Sequence, residues 1–106
     1  SSMYLKAGET LSLRDTLYGL MLASGNDAAV AIAGECGGMT AFVGKMNAKA
    51  AELGLTDTHF DNPNGLPSDT HYTTAHELAK ITAAALKDPV FRQIVSTKAA
   101  RSAGMR

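Results

Sequence analysis

β-Branched aliphatic residues are scarce in this chain, and cysteine is almost absent. There are seven Val and Ile together and a single Cys among 106 residues. One thiol, Cys36, excludes an internal disulfide framework and any zinc site built from several thiolates. Charge of one sign is also missing. Ten basic and ten acidic side chains cancel, with no polybasic or polyacidic run, so the basic stripe of a nucleic-acid binder is not present. Long apolar runs are missing too. The longest, Ala28 to Ala33, falls far short of the roughly 20 residues a membrane-spanning helix needs. No basic stretch followed by an apolar core marks a signal peptide. With Ser rather than Met at position 1, the expectation is a mature or excised piece, which leaves room for a secretory leader already removed. There is no glycine-rich phosphate loop, because Gly37-Gly38 reads as a helix stop.

What is present is alanine. Eighteen Ala against seven Val and Ile predict a mainly helical chain. The length fits one domain, and 45% apolar with 19% charged residues is a globular composition. Leu, Ile, Val and Phe total only 21, however, so the core is thin and is expected to lean on another surface.

Capping and periodicity divide the chain into five helices. Met3-Tyr4-Leu5 reads as a short edge strand with a turn at 6–9. Ser12 with Asp15 three residues on is a capping arrangement for a helix over about 13–23, with Leu13, Leu17, Leu20 and Met21 as its inward stripe. Asn26 or Asp27 caps a second, nearly all-apolar helix to about Cys36, expected to be buried on most sides. Thr40 caps a third, carrying Phe42, Val43, Met46, Ala50 and Leu53 and ending at Gly54. Residues 55–72 are rich in turn formers, and a loop of that length is often functional. Thr73 or Thr74 opens a fourth helix, with Glu77 closing a capping box on Thr74 and Leu78, Ile81, Ala85 and Leu86 inward. Asp88-Pro89 opens a fifth with Val90, Phe91, Ile94 and Val95, and Ser96-Thr97-Lys98 reads as the start of a strand.

Few residues offer chemistry. His59, His71 and His76 show no paired spacing on one helix face, so they read as exposed or loop-bonding rather than as metal ligands; no metal and no cofactor are expected. Cys36 and the methionines Met3, Met21, Met39 and Met46 read as core fillers. The sharper feature is Ser24-Gly25-Asn26 at a helix–helix junction. A hydroxyl and a carboxamide flank a glycine that lets the backbone turn, and both side chains can face a common cleft. By itself the tripeptide reads first as a helix stop followed by an N-cap, since short motifs match by chance.

Its surroundings carry more. Leu22-Ala23-Ser24-Gly25-Asn26-Asp27-Ala28-Ala29 resembles the second active-site motif of the penicillin-binding serine D-alanyl-D-alanine carboxypeptidases. Lys6-Ala7-Gly8-Glu9, Phe42-Val43-Gly44-Lys45-Met46-Asn47, Ala51-Glu52-Leu53-Gly54-Leu55, Thr58-His59-Phe60, Asn64-Gly65-Leu66 and Tyr72-Thr73-Thr74-Ala75 follow the order of that family through about residue 95. The resemblance implies a helical subdomain of the β-lactamase/penicillin-binding transpeptidase-like α/β fold. It implies that Ser24 sits in a proton relay with a catalytic lysine. It implies that Asn26 hydrogen-bonds that lysine and the substrate amide, and that Gly25 permits the turn and helps form the substrate site.

The pattern is incomplete. No serine has a lysine three residues on, and there is no Lys-Thr-Gly; Lys6-Ala7-Gly8 precedes Ser24, whereas the family's third motif follows the second. The expectation is therefore that residues 1–106 form one helical fragment of a carboxypeptidase catalytic domain, inert alone, from a parent that trims the terminal D-Ala of peptidoglycan pentapeptides outside the cytoplasmic membrane. Stem peptides and β-lactams are the expected partners of that parent, and self-association through the exposed sheet-facing surface is expected of the fragment. A fragment of a class A β-lactamase or related penicillin-recognising hydrolase and a non-catalytic helical interaction module are the alternatives. Gly25 speaks against the β-lactamase pattern, which usually places Asp there.

Overall fold

The computed structural model describes residues 2–8 and 10–98. Five helices follow one another: α1 (Leu13–Ala23), α2 (Asn26–Glu35), α3 (Met39–Glu52), α4 (Ala75–Ala85) and α5 (Pro89–Val95). Among the described residues there is no strand. A single antiparallel bridge joins His59 to Tyr72.

Local chemistry explains most helix ends. The Ser12 hydroxyl accepts the Asp15 N–H, Thr74 accepts that of Glu77, and Asp88 Oδ1 accepts those of Val90 and Phe91 beside Pro89. Each such cap is worth about 1 kcal/mol. α3 closes in a Schellman turn: Leu55 N–H reaches Ala50 O and Gly54 N–H reaches Ala51 O, with Gly54 left-handed at φ 74° and Leu55 buried. α2 stops at Gly37 and Gly38, both at positive φ.

Two expected caps are displaced. α2 and α3 start after Gly25 and Gly38, neither with a side-chain cap, so Asn26 and Thr40 lie inside the helices. Asp27 turns its carboxylate to another segment instead. Met3-Tyr4-Leu5 forms no strand, because Tyr4 is left-handed at φ 58° and breaks the extended run. Ser96 caps the C-terminus of α5 and bonds back to Arg92 O, so no strand starts there; residues 99–106 lie outside the described residues.

α1 packs against α2 and α5, and α2 packs against α3. The buried line of α1 is Thr16 and Gly19 rather than its leucines, and Leu13, at 62% exposure, faces out. α2 buries one face, Ala28, Ala29 and Ala33, while Val30 is exposed. Of the methionines expected inside, Met3 is buried at 2%, but Met21 and Met39 are exposed. α4 buries only Glu77, and Leu78 and Leu86 are exposed. Its anchor is polar: the Glu77 carboxylate accepts the Asp57 N–H and the Thr58 hydroxyl. An apolar groove of about 300 Å³ is lined by Phe42, Met46 and Ala50 of α3, by Leu53 just after it, by Phe60 and by Ile81 of α4. The thin core therefore leaves much large apolar surface uncovered, as the composition led us to expect.

The long loop folds on side-chain carboxamides and hydroxyls. Asn47 on α3 clamps the backbone of Phe60 by giving Nδ2–H to its carbonyl (2.8 Å) and accepting its N–H (2.9 Å). Asn62 Oδ1 gathers the N–H groups of Asn64, Gly65 and Leu66. Asp61 Oδ2 accepts the Ser68 and Thr70 hydroxyls, and its N–H donates to His71 Nδ1. His59 pairs with Thr70 O and stands 3.2 Å from Asp61 Oδ1. Two of the three histidines are thus loop-bonding.

Met3 packs closely against α1 at Gly19. A Cβ on Gly19 would stand 2.0 Å from the Met3 sulfur and 2.7 Å from Met3 Cγ. Met3 is fully enclosed and cannot swing away without emptying its site. Gly19→Ala should therefore destabilise the protein by about 1–3 kcal/mol despite alanine's better helix propensity. In thermal melts, Met3→Ala combined with Gly19→Ala should cost less than the sum of the single losses. Additive losses would show that the two residues do not share this space.

Candidate active site

α1 ends because Ser24 takes a left-handed conformation, φ 53° and ψ 42°. The N–H groups of Ser24 and Gly25 then both turn onto the Gly19 carbonyl, the latter at 3.2 Å. α2 begins at the next residue, with the Gly25 carbonyl accepting the Ala29 N–H at 3.1 Å. The turn is thus held from both sides by helix.

The strain falls on the serine. Gly25 has an ordinary φ of −70° that any residue adopts, so the glycine is not needed for a tight backbone turn. What glycine offers here is room. Gly25 is buried, and a Cβ there would lie 3.1 Å from Met3 Cγ, 3.2 Å from Asp27 Oδ1 and 3.3 Å from Gly19 O. A left-handed non-glycine residue costs roughly 1–2 kcal/mol, and such outliers concentrate at functional sites.

Ser24 is exposed and Asn26 half-buried, on either side of the buried Gly25. Among the described residues, neither the Ser24 hydroxyl nor the Asn26 carboxamide has a side-chain hydrogen-bond partner. One proton donor–acceptor and one amide are therefore presented, unused, on a turn that two helices support. The apolar groove beside α3 is a separate feature, and none of these three residues lines it.

Beneath the turn lies Asp27, which the sequence suggested only as a cap. Its Oδ1 accepts the N–H groups of Met3 (2.8 Å) and Ala28 (3.0 Å). Its Oδ2 accepts the Leu5 N–H (2.9 Å) and the Ser2 hydroxyl (3.0 Å). Burial raises the Asp27 pKa, but the Leu5 and Met3 N–H groups, with Ser2 and Ala28, outweigh it and hold the carboxyl below its ordinary value. The Asp61 carboxyl is likewise lowered by the Thr70 and Ser68 hydroxyls, and that of Glu77 by the Thr58 hydroxyl. Gly19 carried a sequence signal for close approach, since glycine inside a helix costs about 1 kcal/mol. The Met3–Asp27 bond spans 24 positions and carried none.

Comparison with known proteins bears on the chain as a whole. The Peptidase S11 family, described as D-alanyl-D-alanine carboxypeptidase, matches residues 1–105. A D-alanyl-D-alanine carboxypeptidase of Streptomyces sp. (strain K15) is 42% identical over 106 residues, covering 93% of this chain and 36% of its own length. D-alanyl-D-alanine carboxypeptidase DacB2 of Mycobacterium tuberculosis is 47% identical over 98 residues, covering 91% of this chain and 34% of its own length. The chain thus spans about a third of the length of these curated relatives. Among solved structures, a D-alanyl-D-alanine carboxypeptidase from M. tuberculosis superposes with a TM-score of 0.89 at 44% identity, covering 94% of this chain and 39% of that one. Penicillin binding protein 5 from Haemophilus influenzae superposes at 0.92 with 34% identity, covering 99% of this chain and 31% of that one. The five helices match the helical part of these structures.

Two outcomes follow from the geometry of the turn. Ser24→Gly removes the left-handed penalty and should raise thermal stability by about 1 kcal/mol, less the glycine's greater entropy when unfolded. A lower melting temperature would show that the Ser24 conformation is unstrained. All three carboxyls are depressed on folding, so their stabilisation is complete above the unfolded values near 4 and is lost as pH falls through the folded ones. In melts between pH 7 and pH 2, Asp27→Asn should show a shallower acid loss than the parent sequence. An identical slope would remove Asp27 from this account.

Proposed function

The chain belongs to the Peptidase S11 family of D-alanyl-D-alanine carboxypeptidases, and we propose that it is the helical segment supplying the second active-site motif of such an enzyme. The reaction is acyl transfer. A serine nucleophile attacks the penultimate D-Ala carbonyl of a peptidoglycan stem peptide and expels the terminal D-Ala, and water hydrolyses the acyl-enzyme. That serine and its lysine belong to a Ser-x-x-Lys motif, which this sequence lacks together with Lys-Thr-Gly. Residues 1–106 by themselves are therefore inert.

Within that chemistry Ser24 passes a proton between the catalytic lysine and the leaving amine. Asn26 orients the lysine and accepts or donates to the substrate amide, with Gly25 keeping the floor of the substrate site low. The observation that carries this reading is the unused hydroxyl and carboxamide on a strained turn held by α1 and α2. The family match over residues 1–105 supports the carboxypeptidase over the β-lactamase alternative, and Gly25 stands where the β-lactamase pattern usually has Asp. The substrate places the parent enzyme outside the cytoplasmic membrane, with stem peptides and β-lactams as its ligands. The uncovered apolar surface is where the rest of the domain, or a second copy of the isolated segment, packs.

A fluorescent penicillin tests this. The isolated chain should form no covalent adduct, and an adduct would mean that a nucleophile has been overlooked. The full-length protein should be acylated. Ser24→Ala or Asn26→Ala in it should slow acylation by about 100-fold or more while leaving the melt cooperative. Unchanged acylation in either variant would remove the role assigned to that residue.

A further inference from the structure

Residues 2–5 and the turn at 24–26 are held as one unit, although no regular secondary structure joins them. The Asp27 carboxylate is its centre. Four donors converge on it, three from residues 2–5 and one from α2 itself. This tether draws the Met3 side chain under the turn, where it is 2% exposed. The thioether fills the space left open by the two glycines, Gly19 on α1 and Gly25 in the turn. The Gly19 carbonyl beside it receives the N–H groups that hold Ser24 left-handed. Tyr4, also left-handed, lets the chain double back so that the N–H groups of Met3 and Leu5 reach the two oxygens of one carboxylate.

We propose that Asp27 is a positioning residue: by tethering residues 2–5 it wedges Met3 beneath the turn and so holds Ser24 and Asn26 in their working geometry. The catalytic consequence rests on the functional reading above; the structural one does not. Asp27 touches no reacting atom in this arrangement. It acts through Met3 and through its own place one residue after Asn26. Asparagine has the same shape, but its amide turns one donor towards an array of N–H groups, so the tether loses an acceptor and its charge. Met3→Ala leaves the carboxylate in place and removes only the wedge.

The test uses the intact protein and reads the turn and the chemistry separately. Hydrogen exchange with mass spectrometry is followed in peptides covering 20–26 and, as a reference, 50–56. Asp27→Asn and Met3→Ala should each speed exchange in 20–26 by about 10-fold or more, with the reference peptide changed by less than about 2-fold. Unchanged exchange in the turn overturns the proposal. A uniform rise in both peptides also does so, because it reports global destabilisation. If Asp27→Asn fails to fold, Met3→Ala decides by the same criteria.

Acylation by the fluorescent penicillin is then measured well below the melting temperature. Asp27→Asn should slow it at least about 10-fold, and should slow it far less in a Ser24→Ala background, since the two residues act along one route. A folded Asp27→Asn protein with parental acylation overturns the catalytic role even if the turn loosens. If Ser24→Ala and Asn26→Ala themselves leave acylation intact, the functional reading fails, while the exchange data still decide what holds the turn.

Discussion

The carboxylate of Asp27 is the interaction on which the geometry of the candidate site depends. It joins the start of the described chain to the start of α2, and it does so at the base of the turn that carries Ser24 and Asn26. An acceptor in the first turn of a helix is favoured by the helix dipole as well as by the N–H groups it meets. Once residues 2–5 are tethered, the Met3 thioether has one place to go. That place exists because Gly19 and Gly25 have no side chains. Charge, wedge and two glycines thus form one device, and the left-handed serine sits on top of it.

The same substitution of polar anchors for apolar mass recurs through the fold. Asn47 clamps Phe60, Asn62 organises 64–66, Asp61 gathers two hydroxyls, and Glu77 ties α4 to the 57–58 turn. A core built largely of alanine releases little free energy per residue on burial, so single well-placed acceptors govern where segments lie. Large side chains such as Leu13, Leu78 and Leu86 remain outside. The chain spans about a third of the length of its curated relatives.

Much of the helical layout was legible before any coordinates. Ser12, Thr74, Asp88 and Gly54 mark their helix ends by rules that act within four residues, and the structure places all four where those rules put them. The turn chemistry of 55–72 was legible as a loop, but not its path, which depends on Asn47 and Glu77 reaching across 13 and 20 positions. Periodicity misled at α1 and α4. An apolar stripe marks the face a helix can bury, and these two helices bury Thr16, Gly19 and Glu77 instead.

The sequence alone determined the helix content, the junction at Ser24-Gly25-Asn26 and the absence of a Ser-x-x-Lys and a Lys-Thr-Gly. These are local properties, set by backbone propensity, capping and residue identity. Only the tertiary structure decided that Ser24 rather than Gly25 bears the strain, that a side chain at Gly25 would crowd Met3, and that Asp27 binds residues 2–5 as well as the start of α2. The last two depend on Met3 arriving from more than 20 positions away. A contact of that reach leaves no periodic trace in the chain, because its free energy is realised only when both partners are already in place.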